Sequence, residues 1–369
     1  MRTVRASQAL SMRALLSTLI LLLAPIIAAR ADTGLFGNLG GFNYPYPVIQ
    51  YPLKTQAQNY AMAYMDIAAD AASGAAKPPV VLLHGPEYCG AMWESAIKAL
   101  HGAGYRVVVP DQIGTCKSSK PVNYQYSFQQ LAVNTRSLLD SLKIGRVILV
   151  GHSMGGMLAM RYALMYPDEL AHLVLVDPLG LEDWKAKGVL YRTIDERYAI
   201  DLQSTVASLR RYQQENYFAN RWQPQFDQSL QALAGQYSGS GRERFVWNQA
   251  LILDMIFTQP VVDELERIRV PTLLMIGDKD HAMPFGDSAP PQVAAQLGNY
   301  PELGRRAAKR IPGARLVEFA ELGHVPQLES PERFNETLLQ GIATAGAGGS
   351  GAPAPQTPPS AKAPGASAP

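Results

Sequence analysis

Cysteine is nearly absent: two in 369 residues rule out a disulfide scaffold, and with no C-x-x-C and no H-E-x-x-H there is no local metal-binding motif. An excess of one charge is missing too, because 33 Lys and Arg stand against 31 Asp and Glu, a formal +2 with histidines neutral. A nucleic-acid binder needs a concentrated basic face to displace counterions from phosphates, so that class is set aside. Charged residues make up only 17% and hydrophobic ones 47%, which excludes bulk disorder and promises a large core. The longest apolar run, Ala14 to Ala29, is 16 residues broken by Pro25, short of the roughly 20 that a membrane span takes.

That run instead has the setting of an export leader. Arg2, Arg5 and Arg13 precede it without an acid, and Ala29-Arg30-Ala31 closes it with an A-x-A site. A signal peptide over 1–31 is therefore expected, with a mature chain in the periplasm or secreted. No cysteine follows the cut to take a lipid, and losing four arginines leaves 29 basic against 31 acidic residues, a formal −2. At the other end, 345–369 is rich in Pro, Ala and Gly with no large apolar side chain, so it is expected to be a disordered tail.

Between the ends lies a repeating rhythm. Val48–Leu53 and Tyr60–Ile67 suggest a strand pair. Short continuous apolar runs follow at Val80–Leu83, Tyr105–Val109, Val147–Val150, Leu173–Val176, Thr272–Ile276 and Leu316–Phe319, most of them leading through a turn into a helical pattern. Runs without in-and-out alternation suit strands covered on both faces of a parallel sheet, so the fold class is α/β. The rhythm breaks between Gly180 and about Arg269, where the pattern is helical and holds three of the four tryptophans, Trp184, Trp222 and Trp247. The expected organisation is a core from 32–179 and 270–344 with a helical cap, 180–269, inserted between its parts.

The chemistry is concentrated in Gly151-His152-Ser153-Met154-Gly155-Gly156, which joins the run Val147–Val150 to a helical pattern from Met157. A G-x-S-x-G at a strand-to-helix turn lifts the serine hydroxyl above the sheet edge, the geometry of a nucleophile. Serine needs a base to take its proton and an acid to orient that base. Six histidines are available, at 84, 101, 152, 172, 281 and 324. His324 is selected as the base, since Leu322-Gly323-His324-Val325-Pro326 follows the last strand. Asp280, in Gly277-Asp278-Lys279-Asp280-His281, is selected as the acid. Asp278 is its rival and Asp177, closing the preceding strand, an outside candidate.

Residues 77–342 resemble the α/β-hydrolase superfamily. The resemblance is carried by the strand ending in His84-Gly85, by Pro110-Asp111-Gln112-Ile113-Gly114 with Lys117-Ser118-Ser119-Lys120-Pro121, by the Gly151–Gly156 turn, by Gly277–Asp280 and by Gly323-His324. It implies a mostly parallel hydrolase sheet with a helical cap, a Ser153-His324-Asp280 triad and no cofactor. Relatives that open epoxides or C–halogen bonds use an aspartate nucleophile, so Ser153 argues against both. In relatives the residue after His-Gly donates a backbone N–H to the oxyanion hole, yet here it is Pro86, which has none. Met154 supplies one donor, and the second falls to Glu87, Tyr88 or a group elsewhere. Cys116 replaces a glycine of the family's Gly-x-Gly loop, and Cys89 lies after the strand that neighbours it in the family's sheet. A Cys89–Cys116 disulfide is expected in an exported protein, against two free buried thiols.

The expected function is hydrolysis of a small-molecule carboxylic ester. Aromatics in the insertion (Trp184, Tyr191, Tyr198, Tyr212, Tyr217, Phe218, Trp222, Trp247) serve either its own packing or an apolar pocket. The alternatives are C–C or lactone cleavage by the same triad, and a catalytically silent binding protein.

Overall fold

The computed structural model describes residues 39–69 and 77–347. The expected leader lies outside the described residues, as does the expected tail beyond 347. Eight strands form one sheet in the order β1-β2-β4-β3-β5-β6-β7-β8. They are β1 (Ile49–Thr55), β2 (Gln58–Ile67), β3 (Val80–Leu83), β4 (Val107–Pro110), β5 (Val147–His152), β6 (Leu170–Val176), β7 (Thr272–Gly277) and β8 (Arg315–Phe319). The β1–β2 hairpin is antiparallel, β2 joins β4 antiparallel, and every later pairing is parallel. Every residue of β3, β4, β5 and β7 is buried, which is why those runs lack alternation.

Helices α1 (Glu94–Gly102), α2 (Phe128–Ser141), α3 (Met154–Met165), α8 (Tyr300–Arg310) and α9 (Pro331–Ala347) cover the sheet. α2 packs on α3, and α1 on α9. Strand β4 begins two residues later than the apolar run suggests. Tyr105 N–H donates to Leu100 O and Gly104, at φ 81°, turns left-handed, so both belong to the C-terminal cap of α1. The last helix runs to Ala347, past the start of the expected tail at 345, in a stretch where alanine, the strongest helix former, recurs.

Between β6 and β7 the chain forms α4 (Ile194–Asp201), α5 (Val206–Asn216), α6 (Asp227–Ser238) and α7 (Arg242–Thr258). Thr193 and Thr205 start α4 and α5 with reciprocal capping boxes, a signature written in the sequence as Thr193-x-x-Glu196. Leu209, Leu230, Leu233, Phe245 and Val246 form a small core of their own, so this cap is held together by its own apolar contacts as well as by the sheet. Among the described residues no helix is long and apolar enough to cross a membrane.

Cys89 and Cys116 form a disulfide that ties the loop after β3 to the loop after β4, parallel neighbours in the sheet. Cys116 has φ 52°, the left-handed region in which a glycine is at ease and a cysteine is not. The cross-link holds that turn. Replacing both cysteines by serine is expected to cost roughly 3 kcal/mol of stability in chemical denaturation, the value for closing a loop of this order, and added reductant should reproduce the loss.

Candidate active site

Strand β5 ends at His152 and α3 opens at Met154, which leaves Ser153 alone on the turn at φ 57°, ψ −122°. Such a backbone is costly for a residue with a side chain and persists only where packing over-determines it. The glycines supply the packing. A methyl on Gly151 would stand 2.2 Å from Gly155 O, and one on Gly155 would stand 2.4 Å from Leu83 O. Helix, turn and β3 therefore approach backbone to backbone.

His324 lies in the loop after β8, with Nδ1 at 2.8 Å from Asp280 Oδ2. The other Asp280 oxygen accepts the Ala282 N–H at 2.8 Å. Two backbone bonds fix the imidazole's own residue: His324 N–H donates to Tyr217 O at 2.8 Å, and His152 Nε2 donates to His324 O at 2.8 Å. Burial holds the His152 imidazole well below its ordinary range, with His324 adding to the effect, so it stays neutral and serves as a strut. His324 Nε2 is buried and has no hydrogen-bond partner among the described residues. It is the nitrogen a serine base requires, and in ligand-free sites such catalytic bonds are commonly long until substrate arrives.

The remaining candidates separate cleanly. Asp278 Oδ1 accepts the Glu321 N–H at 2.7 Å and its carboxylate pairs with Lys279, a loop-fastening role. His84 bonds Gly85 O and the Gln112 N–H, His172 lies on β6 and His281 is exposed. Asp177 is fully buried, and its Oδ1 accepts the Gly277 N–H at 2.9 Å, whereas the imidazole bonds Asp280. Among the described residues no three His, Cys, Asp or Glu side chains group as a metal site.

On the oxyanion side, a methyl on Gly85 would meet Ser153 Oγ at 3.3 Å, so the His84–Glu87 loop runs directly beside the serine. Tyr88 N–H is spent on Gly85 O at 3.2 Å, whereas Glu87 N–H has no acceptor among the described residues. Met154 opens α3, in the first turn, where N–H groups lack intrahelical acceptors.

A cavity of about 290 Å³ lies between loop and cap, bounded by Pro86, Glu87, Leu209, Tyr212, Tyr217 and Ile256. The Tyr217 ring, 4.7 Å from that of His324, connects it to the triad. A larger cavity, about 470 Å³, lies around Cys89, Met92 and Gln327; none of Ser153, Asp280 and His324 lines either cavity, and the smaller is the one lined by Tyr217 and by Ala282, whose N–H bonds Asp280. Of the cap aromatics read from the sequence, only Tyr212 and Tyr217 line the smaller cavity. Trp184, Phe218 and Trp222 pack internally, Trp247 meets Tyr198 edge-on, and Tyr191 is exposed. The cavity is also more polar than those aromatics suggest, since Glu87, Arg197, Asp201 and Asp287 line it. Burial pushes the Glu87 carboxyl up, although Gln213 Nε2 donates to it at 3.1 Å, and pushes Asp201 up to about 6. Arg197, Asp201 and Asp287 carry no distinguishing pattern in the sequence, and Glu87 is read there only as a backbone donor.

Comparison with known proteins then places the chain. Residues 78–331 match the model of the alpha/beta hydrolase fold. The chain belongs to that family. A probable hydrolytic enzyme from Pseudomonas aeruginosa PAO1 is 53% identical in its crystal structure, with a TM-score of 0.80 over 83% of this chain and 98% of its own. The "Putative carbamate hydrolase RutD" of Serratia proteamaculans is 29% identical over 71% of this chain and 90% of its own length. A 2-hydroxy-6-oxononadienedioate/2-hydroxy-6-oxononatrienedioate hydrolase of Paraburkholderia phymatum is 28% identical over 72% and 88%.

The loop carrying His324 is braced by Glu329, whose Oε1 accepts the Gly323 N–H at 2.7 Å and whose carboxyl burial pushes up to about 7. A carboxyl raised in the native state binds more protons there than in the unfolded chain, so its contribution to stability falls as pH rises from about 4.5 to about 7. Glu329→Gln should remove that slope, and urea unfolding of both proteins across the window should show the wild type losing up to about 3 kcal/mol more than the variant.

Proposed function

We propose that this hydrolase cleaves neutral carboxylic esters with an apolar or aromatic group through an acyl-enzyme on Ser153. The observation that carries the reading is the His324–Asp280 bond, which leaves the opposite imidazole nitrogen without a partner among the described residues, in a fold that holds Ser153 on a strained turn. Ser153 Oγ attacks the ester carbonyl carbon while His324 Nε2 takes its proton. The Asp280 carboxylate fixes the Nδ1–H tautomer and stabilises the imidazolium that forms. Met154 N–H and Glu87 N–H face the developing oxyanion, Glu87 taking the place that Pro86 cannot fill. The imidazolium returns its proton to the leaving alcohol, and water, activated by the same nitrogen, releases the acid.

The charge lining the cavity supports a neutral substrate. Glu87, Asp201 and Asp287 stand against one guanidinium, Arg197, whose Nη1 already lies 3.3 Å from Asp287 Oδ2. A dianion such as the dioate in one relative's name would enter without a cation to meet it, which weighs against the C–C cleavage reading. A Cys89–Cys116 disulfide, with the leader pattern at 1–31, supports a periplasmic or secreted setting, since thiols stay reduced in the cytosol.

Chromogenic acyl esters of graded chain length test the reading. Turnover is expected to vanish in Ser153→Ala, to fall by about 10³–10⁴ in Asp280→Asn and to change less than about threefold in Asp278→Asn. Failure of the wild-type chain to exceed Ser153→Ala on any ester would overturn it. Fluorophosphonate labelling of Ser153 would then separate a narrow specificity, in which the serine reacts, from a silent fold, in which it does not.

A further inference from the structure

Asp177 closes β6 as Asp280 follows β7, so the two aspartates stand at the tips of adjacent parallel strands. Asp177 is 0% exposed, and its backbone sits at φ 40°, a left-handed conformation that Asp and Asn adopt more readily than other side-chain-bearing residues. Its Oδ1 accepts the Gly277 N–H at 2.9 Å. Its Oδ2 is buried with no donor to bond it. The neighbour it does have is the Asp280 carboxyl, which pushes the Asp177 carboxyl up both by its charge and as a hydrogen-bond partner for the protonated form. Two carboxylates cannot share such a bond: both are acceptors, and their like charges repel in a buried site. One of the two must carry a proton.

Asp280 has N–H donors on both oxygens, Ala282 and His324, and a carboxylate's four lone pairs leave room for a third. Asp177 has one donor and one orphaned oxygen. We propose that Asp177 is a neutral carboxylic acid whose Oδ2–H donates to the Asp280 carboxylate, making it a positioning residue for the triad acid. Burial is the largest cause of its carboxyl being held well above the ordinary range, followed by the Asp280 charge. The other titratable groups about it, Glu329 and Tyr300, supply no cation to reverse this. The proton satisfies the orphaned oxygen, adds no second negative charge beside the imidazole and fixes the plane of the carboxylate that orients His324. The inference rests on the Ser153-His324-Asp280 assignment proposed above.

Two substitutions that the left-handed backbone accepts separate this role from a packing role. Asp177→Asn keeps both bonds, an N–H toward Asp280 and an acceptor for Gly277, whereas Asp177→Gly keeps the backbone and deletes the group. Ester hydrolysis should stay within about threefold of wild type in Asp177→Asn and fall about 10- to 100-fold in Asp177→Gly. An Asn variant as impaired as the Gly variant would show that Asp177 acts as an anion, and a fully active Gly variant would show that it has no part in orienting Asp280. Either result overturns the proposal. Infrared difference spectra, wild type minus Asp177→Asn at neutral pH, provide a readout that needs neither substrate nor the Gly variant to fold. A protonated-carboxyl C=O band that shifts in D₂O is expected, and its absence refutes the proposal even if esters turn over. The band in a chain that hydrolyses no ester would instead uphold the acid pair and overturn the ester reading.

Discussion

The close approach of β3, β5 and α3 at the serine turn is the constraint on which the site depends. Ser153 is held at φ 57° because the glycines beside it let the helix start sit on the carbonyl of Leu83 with no side chain between them. That contact also brings the His84–Glu87 loop against Ser153 Oγ, so the proposed nucleophile and the proposed oxyanion donors are positioned by one packing event. The parallel sheet does the rest, carrying Asp280 and His324 on loops that leave β7 and β8 at the same end as Ser153.

Much of this is written locally in the sequence, and what is written locally can be read. Unbroken apolar runs identified the covered strands, and Gly151–Gly156 identified the turn, because each is a short pattern with one physical solution. Choosing Asp280 over Asp278 needed more: two residues apart in one loop, they differ only in which of them reaches His324 and which fastens Glu321. The cavity was less legible still. Glu87 meets Gln213 across 126 positions, and Tyr217 O takes the His324 N–H from a turn after α5, so neither contact leaves a periodic trace. The aromatics misled in part for the same reason: apolar content announces burial without saying whether the neighbour is a cap helix or an open pocket.

The disulfide and Pro86 belong to one local problem. A proline after His84-Gly85 removes a donor, and the next residue can replace it only if the loop is placed accurately. Cys89–Cys116 fastens that loop to its neighbour at a turn already strained by a non-glycine residue at φ 52°. In the proposed mechanism, a covalent tie at this point would preorganise the Glu87 N–H before substrate binds, which is when preorganisation lowers a barrier. An export compartment is where such a tie lasts.

Around His324 the fold gathers Asp177, Asp280, Glu87 and Glu329, an arrangement that would tear itself apart if all four were charged in a water-poor site. It holds because three of these carboxyls are pushed toward the neutral form, while Asp280 is left with N–H donors on both oxygens. What sets Asp280 apart is where the hydrogen-bond donors lie, the Ala282 N–H on one oxygen and His324 Nδ1 on the other. The sequence offers three candidates for the acid, Asp280, Asp278 and Asp177. Following the donors leaves one that can hold the imidazole's proton in place while the other nitrogen does the chemistry.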